Sequence, residues 1–146
     1  MSKRIDFYTA SPDALKAMLA LEAAVGKLGI DPVIMELVKL RASQINGCAF
    51  CVDMHTADMR KAGETERRIA AVCVWQEAPF FTPRERAALG WTEALTLLAQ
   101  TRAPDEAYAE LAEQFSPKEM VDLTLAINTI NSWNRLSVGF RKLPQA

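Results

Sequence analysis

Apolar residues along this chain recur every three or four positions, the spacing of one helix face, and nowhere sustain the alternation of a strand. Leu15, Met18, Leu19 and Leu21 predict a helix over about 12–28, closed by Gly26 and Gly29. Val33, Met35, Leu37 and Leu40 carry the same period to Asn46-Gly47, a strong helix-stop and turn signal. A third helix is predicted over 48–62, stopping at Gly63, and a short fourth over 65–76. Helices over about 83–100, 104–114 and 117–138 follow, with Leu89, Leu95 and Leu98, then Met120, Leu123, Ile127 and Ile130, as their buried stripes. The expected fold class is all-α, with about seven helices in one domain.

Five prolines punctuate the pattern, at Pro12, Pro32, Pro83, Pro104 and Pro117. Proline at a first helical position costs little, because that N–H has no partner within the helix. Thr82 with Glu85, and Ser116 with Glu119, have the spacing of capping boxes, and Asp31 supplies a further cap. The link at 76–82 carries Phe80 and Phe81, which are expected to plug the core rather than an oligomer contact. Cys73, flanked by Val72 and Val74, reads as a small core hydrophobe.

Charge narrows the function classes. Seventeen Lys and Arg against eighteen Asp and Glu leave a formal charge of −1 in 146 residues. Nucleic-acid and anionic-membrane partners need a concentrated positive field, which this balance does not supply. No apolar run approaches the ~20 residues that span a bilayer, and the stretch Met1-Ser-Lys-Arg-Ile-Asp lacks the apolar core of a signal peptide. A cytoplasmic location is expected. The glycines never adopt a dinucleotide or phosphate-loop spacing.

The chemistry concentrates in one short segment. Of three cysteines, Cys48 and Cys51 form Cys-x-x-Cys, and the one histidine, His55, follows four residues later. In a reducing compartment that pair means redox chemistry or metal binding. Cys48 follows the Asn46-Gly47 break and so opens a helix, whose N-terminal amides favour a thiolate. Spacings of one and two turns put Cys48, Cys51 and His55 along one helix face. His55, one turn from Cys51, is placed to take its proton. If the second and third helices fold back about residues 46–47, Glu36 falls within about one turn, ~5 Å along the axis, of His55. A carboxylate there orients the imidazole and stabilises its charged form, as the third member of a triad does. The zinc reading would make the cysteines and His55 ligands, with Asp53 or Asp58 as fourth, which is not a common structural set. Arg41 and Arg60 read as solvated charges that add local positive potential.

The stretch from Glu36 to His55 (Glu, eleven residues, Cys-x-x-Cys, three residues, His) resembles the core motif of the AhpD-like proteins of the carboxymuconolactone decarboxylase superfamily. The block Asn128-Thr-Ile-Asn-Ser-Trp-Asn-Arg-Leu136 is similar to the family's closing helix, and the likeness covers roughly residues 20–140. It implies an all-α fold that assembles as a homotrimer or homohexamer. It also implies a cofactor-free, metal-free thiol peroxidase in which Cys51 attacks the peroxide and Cys48 resolves the product to a disulfide. His55 would be the general base and Glu36 its partner in the proton relay. Reduction would fall to an external dithiol, a lipoyl-bearing or thioredoxin-like carrier. One departure stands out: Phe50 occupies the place of a second histidine found in some members. Two other readings follow from the same residues, a disulfide reductase for a separate peroxiredoxin or other client, and a non-enzymatic zinc-bound or oligomeric binding module.

Overall fold

The computed structural model describes residues 2 and 4–145, and Met1 and Lys3 of the stretch read for a signal lie outside them. Every described helix is α or 3-10, and the described residues contain no strand. The expected helices are α2 (Pro12–Val25), α3 (Pro32–Ile45), α4 (Ala49–Lys61), α5 (Glu66–Ala71), α6 (Pro83–Thr96), α8 (Asp105–Gln114) and α9 (Pro117–Phe140). Two short helices, α1 (Phe7–Ala10) and α7 (Leu98–Thr101), join them.

The caps fall where the sequence puts them. Asp31 accepts from Val33 and Ile34 N–H at the start of α3. Both capping boxes form, Thr82 with Glu85 and Ser116 with Glu119. Three boundaries differ. The first long helix ends at Val25 rather than 28, because Lys27 and Leu28 leave the helical path in tight turns on Ala24 and Val25. The predicted 65–76 helix tightens after Ala71 into a 3-10 turn over Val72–Val74. The 83–100 helix breaks at Leu97, and α7 restarts beyond it.

Helix α3 is the centre of the molecule, packed against α4, α6 and α9. Its Leu37 and Leu40 join a cluster with Met59, Ile69, Val72, Trp75, Phe81 and Leu89. Ile34 and Val38, on its other side, join Ala88, Leu111, Phe115, Leu123 and Ile127. A helix apolar on two faces belongs inside a fold; α3 carries Glu36, Lys39 and Ser43 at three- and four-residue spacing along one edge, with Arg41 and Gln44 elsewhere on it. Phe81 is buried and Phe80 packs against the same cluster, so both aromatics serve the core.

Cys73 contradicts its expected burial: it is exposed, with its thiol on the Ala70 carbonyl. The 3-10 geometry is the cause. At three residues per turn, Val72 and Trp75 share the inward face and Cys73 and Val74 are turned out. Arg41 is likewise not a solvated charge. It is largely buried and paired with Glu93, whose carboxylate also takes the Trp75 indole N–H and the Gln76 amide. Arg60 is exposed and paired with Glu66.

Candidate active site

The site is organised by the break between α3 and α4. Asn46 caps α3, and Gly47 follows with φ 66°, a left-handed conformation that glycine adopts without a Cβ clash. Cys48 N–H then bonds the Ser43 carbonyl at 2.9 Å and Gly47 N–H the Gln44 carbonyl at 3.2 Å, the paired bonds of a Schellman stop. The chain reverses there and α4 returns along α3.

Helix α9 locks this turn. The Asn46 side-chain amide donates to Asn131 Oδ1 at 3.0 Å and to Asn134 Oδ1 at 2.9 Å. Asn134 in turn donates to Ser43 Oγ at 3.0 Å, and Asn131 to Thr96 Oγ1 at 3.0 Å. Both asparagines are buried, so each bond meets a polar group that water does not reach. The Asn-x-x-Asn spacing in α9 thus fixes the turn on which the cysteines ride.

Cys48 is the N-cap residue of α4, its sulfur accepting the Cys51 N–H at 3.3 Å. Cys48 and Cys51 are joined as a disulfide, with Cα atoms 5.3 Å apart. Both are buried, at 1% and 2% exposure. One turn on, His55 is 4% exposed, and its Nδ1 lies 2.9 Å from Glu36 Oε2. The helical hairpin assumed from the sequence is therefore present, and it brings Glu36, on α3, to His55, on α4. A carboxylate on Nδ1 holds the proton on that nitrogen, which leaves the Nε2 lone pair as the acceptor. Among the described residues, His55 Nε2 is the buried side-chain nitrogen or oxygen atom without a hydrogen-bond partner. His55 is thus a buried imidazole with Nδ1 oriented by Glu36 and Nε2 available as an acceptor.

These groups line one pocket of about 340 Å3, which includes Cys51, His55 and Glu36 but not Cys48. Its apolar walls are Tyr8, Leu19, Phe50, Met54, Ile130 and Trp133. Phe50, where other family members place a histidine, faces this pocket, with the Lys142 ammonium 5.4 Å from its ring centroid. A shallower hollow of about 630 Å3 near Leu98, Asn128 and Arg135 contains none of these chemical groups.

Three polar or aromatic participants, Lys39, Glu22 and Trp133, escaped the sequence reading. Lys39 donates to Glu22 Oε1 at 2.7 Å, and the Trp133 indole donates to Glu22 Oε2 at 3.0 Å, so three helices meet at the pocket wall. Asp58 lines the same pocket. Lys39 was detectable, three residues beyond Glu36 and hence on the same helix face; Asp58, already a candidate fourth ligand in the zinc reading, stands three residues beyond His55. Glu22 and Trp133 sit on distant helices and carry no local signal. Asp53 is not among the pocket residues.

Fold and site together define an AhpD-like architecture, an all-α bundle with a Cys-x-x-Cys at a helix start. Residues 12–94 match the carboxymuconolactone decarboxylase family, and the chain belongs to it. An uncharacterized protein of Bacillus subtilis, YdfG, is 46% identical over 139 residues, 95% of each chain. ATU0492 of Agrobacterium tumefaciens, a protein of unknown function considered for antioxidant defence as an AhpD, is 49% identical with a TM-score of 0.96, over 99% of this chain and 100% of that one. The alkylhydroperoxidase AhpD core of a peroxidase-related protein from Ralstonia eutropha superposes with a TM-score of 0.80 at 22% identity, over 93% of this chain and 73% of that one. That last likeness concerns the fold. Among the described residues, no helix is long and apolar enough to cross a membrane.

Proposed function

We propose that this protein is a thiol-dependent peroxidase that reduces hydroperoxides through a Cys48–Cys51 disulfide cycle. The observation that carries the reading is the Glu36–His55 pair, 2.9 Å apart, opening onto the pocket that holds Cys51. In the reduced protein, His55 Nε2 takes the Cys51 thiol proton while Glu36 balances the charge that develops on the imidazole. The thiolate attacks the distal peroxide oxygen, the O–O bond breaks, and the proton held by His55 goes to the departing alkoxide as alcohol. Cys51 is left as a sulfenic acid. The Cys48 thiolate attacks that sulfur, the S–O bond breaks, and the hydroxyl leaves as water after taking the proton released by Cys48. A dithiol then reduces the disulfide by exchange and is itself oxidised to a disulfide.

Two features support Cys51 as the attacking residue: it lines the pocket and Cys48 does not, and it stands one helical turn from His55. Burial of both sulfurs favours a slender reductant, such as a lipoyl-type arm, over a protein client that needs an exposed disulfide. It favours peroxidase over client reductase for the same reason. Cytoplasmic location and assembly as a homotrimer or homohexamer belong to this proposal; the exposed Val121, Leu125 and Val138 of α9 supply an apolar surface for assembly.

The test is sulfenic acid trapping after mild peroxide. Cys48→Ser protein should carry a dimedone adduct on Cys51, and the parent a dithiol-reversible Cys48–Cys51 disulfide. An adduct on Cys48 in Cys51→Ser protein, with none on Cys51 in the other variant, reverses the roles. No steady-state turnover of cumene hydroperoxide with dihydrolipoamide or a thioredoxin system defeats the peroxidase reading.

A further inference from the structure

Besides sulfur, the pocket gathers a second set of ligand atoms. Glu36, His55 and Asp58 each place one such atom within 4.8 Å of the others. Glu36 Oε2 and His55 Nδ1 are 2.9 Å apart. Two neighbouring ligands, each about 2.1 Å from a zinc-type ion, stand about 3.0 Å apart at a right angle and about 3.4 Å apart at the tetrahedral angle. The pair's separation is that of its present hydrogen bond and is compatible with adjacent ligands, an ion replacing the Nδ1 proton between them. Asp58 is exposed and follows His55 by three residues on α4, so a rotamer change brings its carboxylate to the same point. It takes part in none of the ion pairs among the described residues, so no partner holds it back.

Burial holds the ring in place: His55 is 4% exposed, with Nδ1 turned to Glu36 and Nε2 without a hydrogen-bond partner. An imidazole with two carboxylates is a hard-to-borderline donor set, suited to Zn2+, Co2+ or Ni2+ rather than to a thiophilic ion. The pocket beside it leaves room for water to complete the coordination. This set is distinct from a Cys-x-x-Cys zinc site, since the oxidised pair offers no thiolate.

We propose that Glu36, His55 and Asp58 form a binding site for a borderline divalent cation, and that its occupancy takes His55 out of the thiol relay. Metal at Nδ1 displaces the proton of that nitrogen. A neutral imidazole bound through Nδ1 carries its proton on Nε2, which becomes a donor and no longer accepts from Cys51. Glu36 is withdrawn from the relay by the same event. This second consequence rests on the peroxidase reading; the binding itself does not.

Disulfide-oxidised Cys73→Ser protein has no thiol ligand, and His55 is its one histidine, so its ring nitrogens report the site directly. Titration with zinc sulfate, followed by 1H–15N spectra of the ring, should move Nδ1 with one ion per chain and leave a proton on Nε2. Asp58→Asn and Glu36→Gln should each weaken the apparent Kd at least about tenfold, equivalent to about 1.4 kcal/mol. Ring resonances unmoved by excess zinc overturn the site, as does an unchanged Kd in a folded Asp58→Asn protein. For the relay, peroxide turnover with zinc is compared with the same variant without it. Zinc should slow the parent, and Asp58→Asn should need about tenfold more zinc for equal slowing. Equal inhibition of both proteins overturns the relay half. A metal-free parent with no peroxide turnover defeats the peroxidase reading and the relay half with it, while the ring titration decides the site by itself.

Discussion

Glu36 is the most informative single position, because its proposed contribution grows when His55 becomes charged. In the resting pair, Glu36 Oε2 accepts from His55 Nδ1 at 2.9 Å. When Nε2 takes the Cys51 proton, that hydrogen bond becomes an ion pair between side chains 5% and 22% exposed. Hydrogen bonds to charged groups contribute about 1.5–3 kcal/mol and neutral ones about 0.5–1.5 kcal/mol. Partial exposure of Glu36 screens the charge, so the lower half of the charged range applies. Each ~1.4 kcal/mol lost from a transition state is a factor of ten in rate. Glu36→Ala removes the orientation and tautomer preference of the ring as well as the charge, and should slow Cys51 oxidation about 10–50-fold. Glu36→Gln keeps an acceptor and loses only the charge, about 1 kcal/mol, for a roughly fivefold loss.

The assay is single turnover: reduced protein mixed with cumene hydroperoxide, quenched at intervals and scored for remaining thiol by mass. The order parent, Gln, Ala is the signature of a charge acting through an oriented ring. An Ala variant within twofold of the parent refutes the relay. Melting points of the variants separate loss of fold from loss of chemistry.

Three further outcomes follow from the geometry. Asn46→Ala orphans the 1% exposed Asn134 Oδ1 and removes a second bond to Asn131, which keeps Arg135 as donor; the cost should be about 2–4 kcal/mol in urea unfolding, and an unchanged midpoint would show that the clamp is idle. The Glu119 carboxyl is held below its ordinary range by the Ser116 backbone N–H, with Arg84 and the Ser116 hydroxyl adding to it. Its stabilisation is therefore complete above the unfolded carboxylate value and lost as pH falls through the lower folded one, so Glu119→Gln should flatten the acid loss of stability in denaturant titrations; parallel acid limbs would contradict this. Cys73 is exposed and free while Cys48 and Cys51 are tied in a disulfide, so a bulky maleimide should label it readily and alone in native oxidised protein; protection of Cys73 in dilute protein would contradict its outward position.

The sequence made the helices and the grouping of Glu36, Cys48, Cys51 and His55 legible because both depend largely on short-range order. Helical spacing, proline starts and capping boxes are local rules, and Cys48, Cys51 and His55 share one face of one helix. Glu36 needed one long-range step, the reversal at Gly47, and that step was available because Asn-Gly is an unambiguous stop. What failed lay where local rules compete. Cys73, between two valines, has the composition of a core segment, yet a 3-10 turn of three residues per turn carries it outward. Arg41 looked solvated because its partner Glu93 is 52 residues away. Glu22 and Trp133 reach the pocket from helices 111 residues apart in the chain, a proximity no spacing rule contains.

The two asparagines of α9 illustrate why the motif around them spans so much of the chain. Thiol chemistry at Cys51 requires His55 and the sulfur to keep one helical turn of separation, which α4 secures by itself. It also requires Glu36 to stay within hydrogen-bond reach of His55, and α4 alone cannot secure that, because Glu36 rides on α3. The angle between the helices is set at Asn46-Gly47, where a left-handed glycine is the most deformable backbone in the segment. A shift of an ångström there would carry a 2.9 Å contact out of range. Apolar packing of α3 on α4 is non-directional and tolerates such a slide, whereas hydrogen bonds from Asn46 to both buried asparagines do not. Their polar burial, costly in a core, is best understood as the constraint that keeps the relay in register.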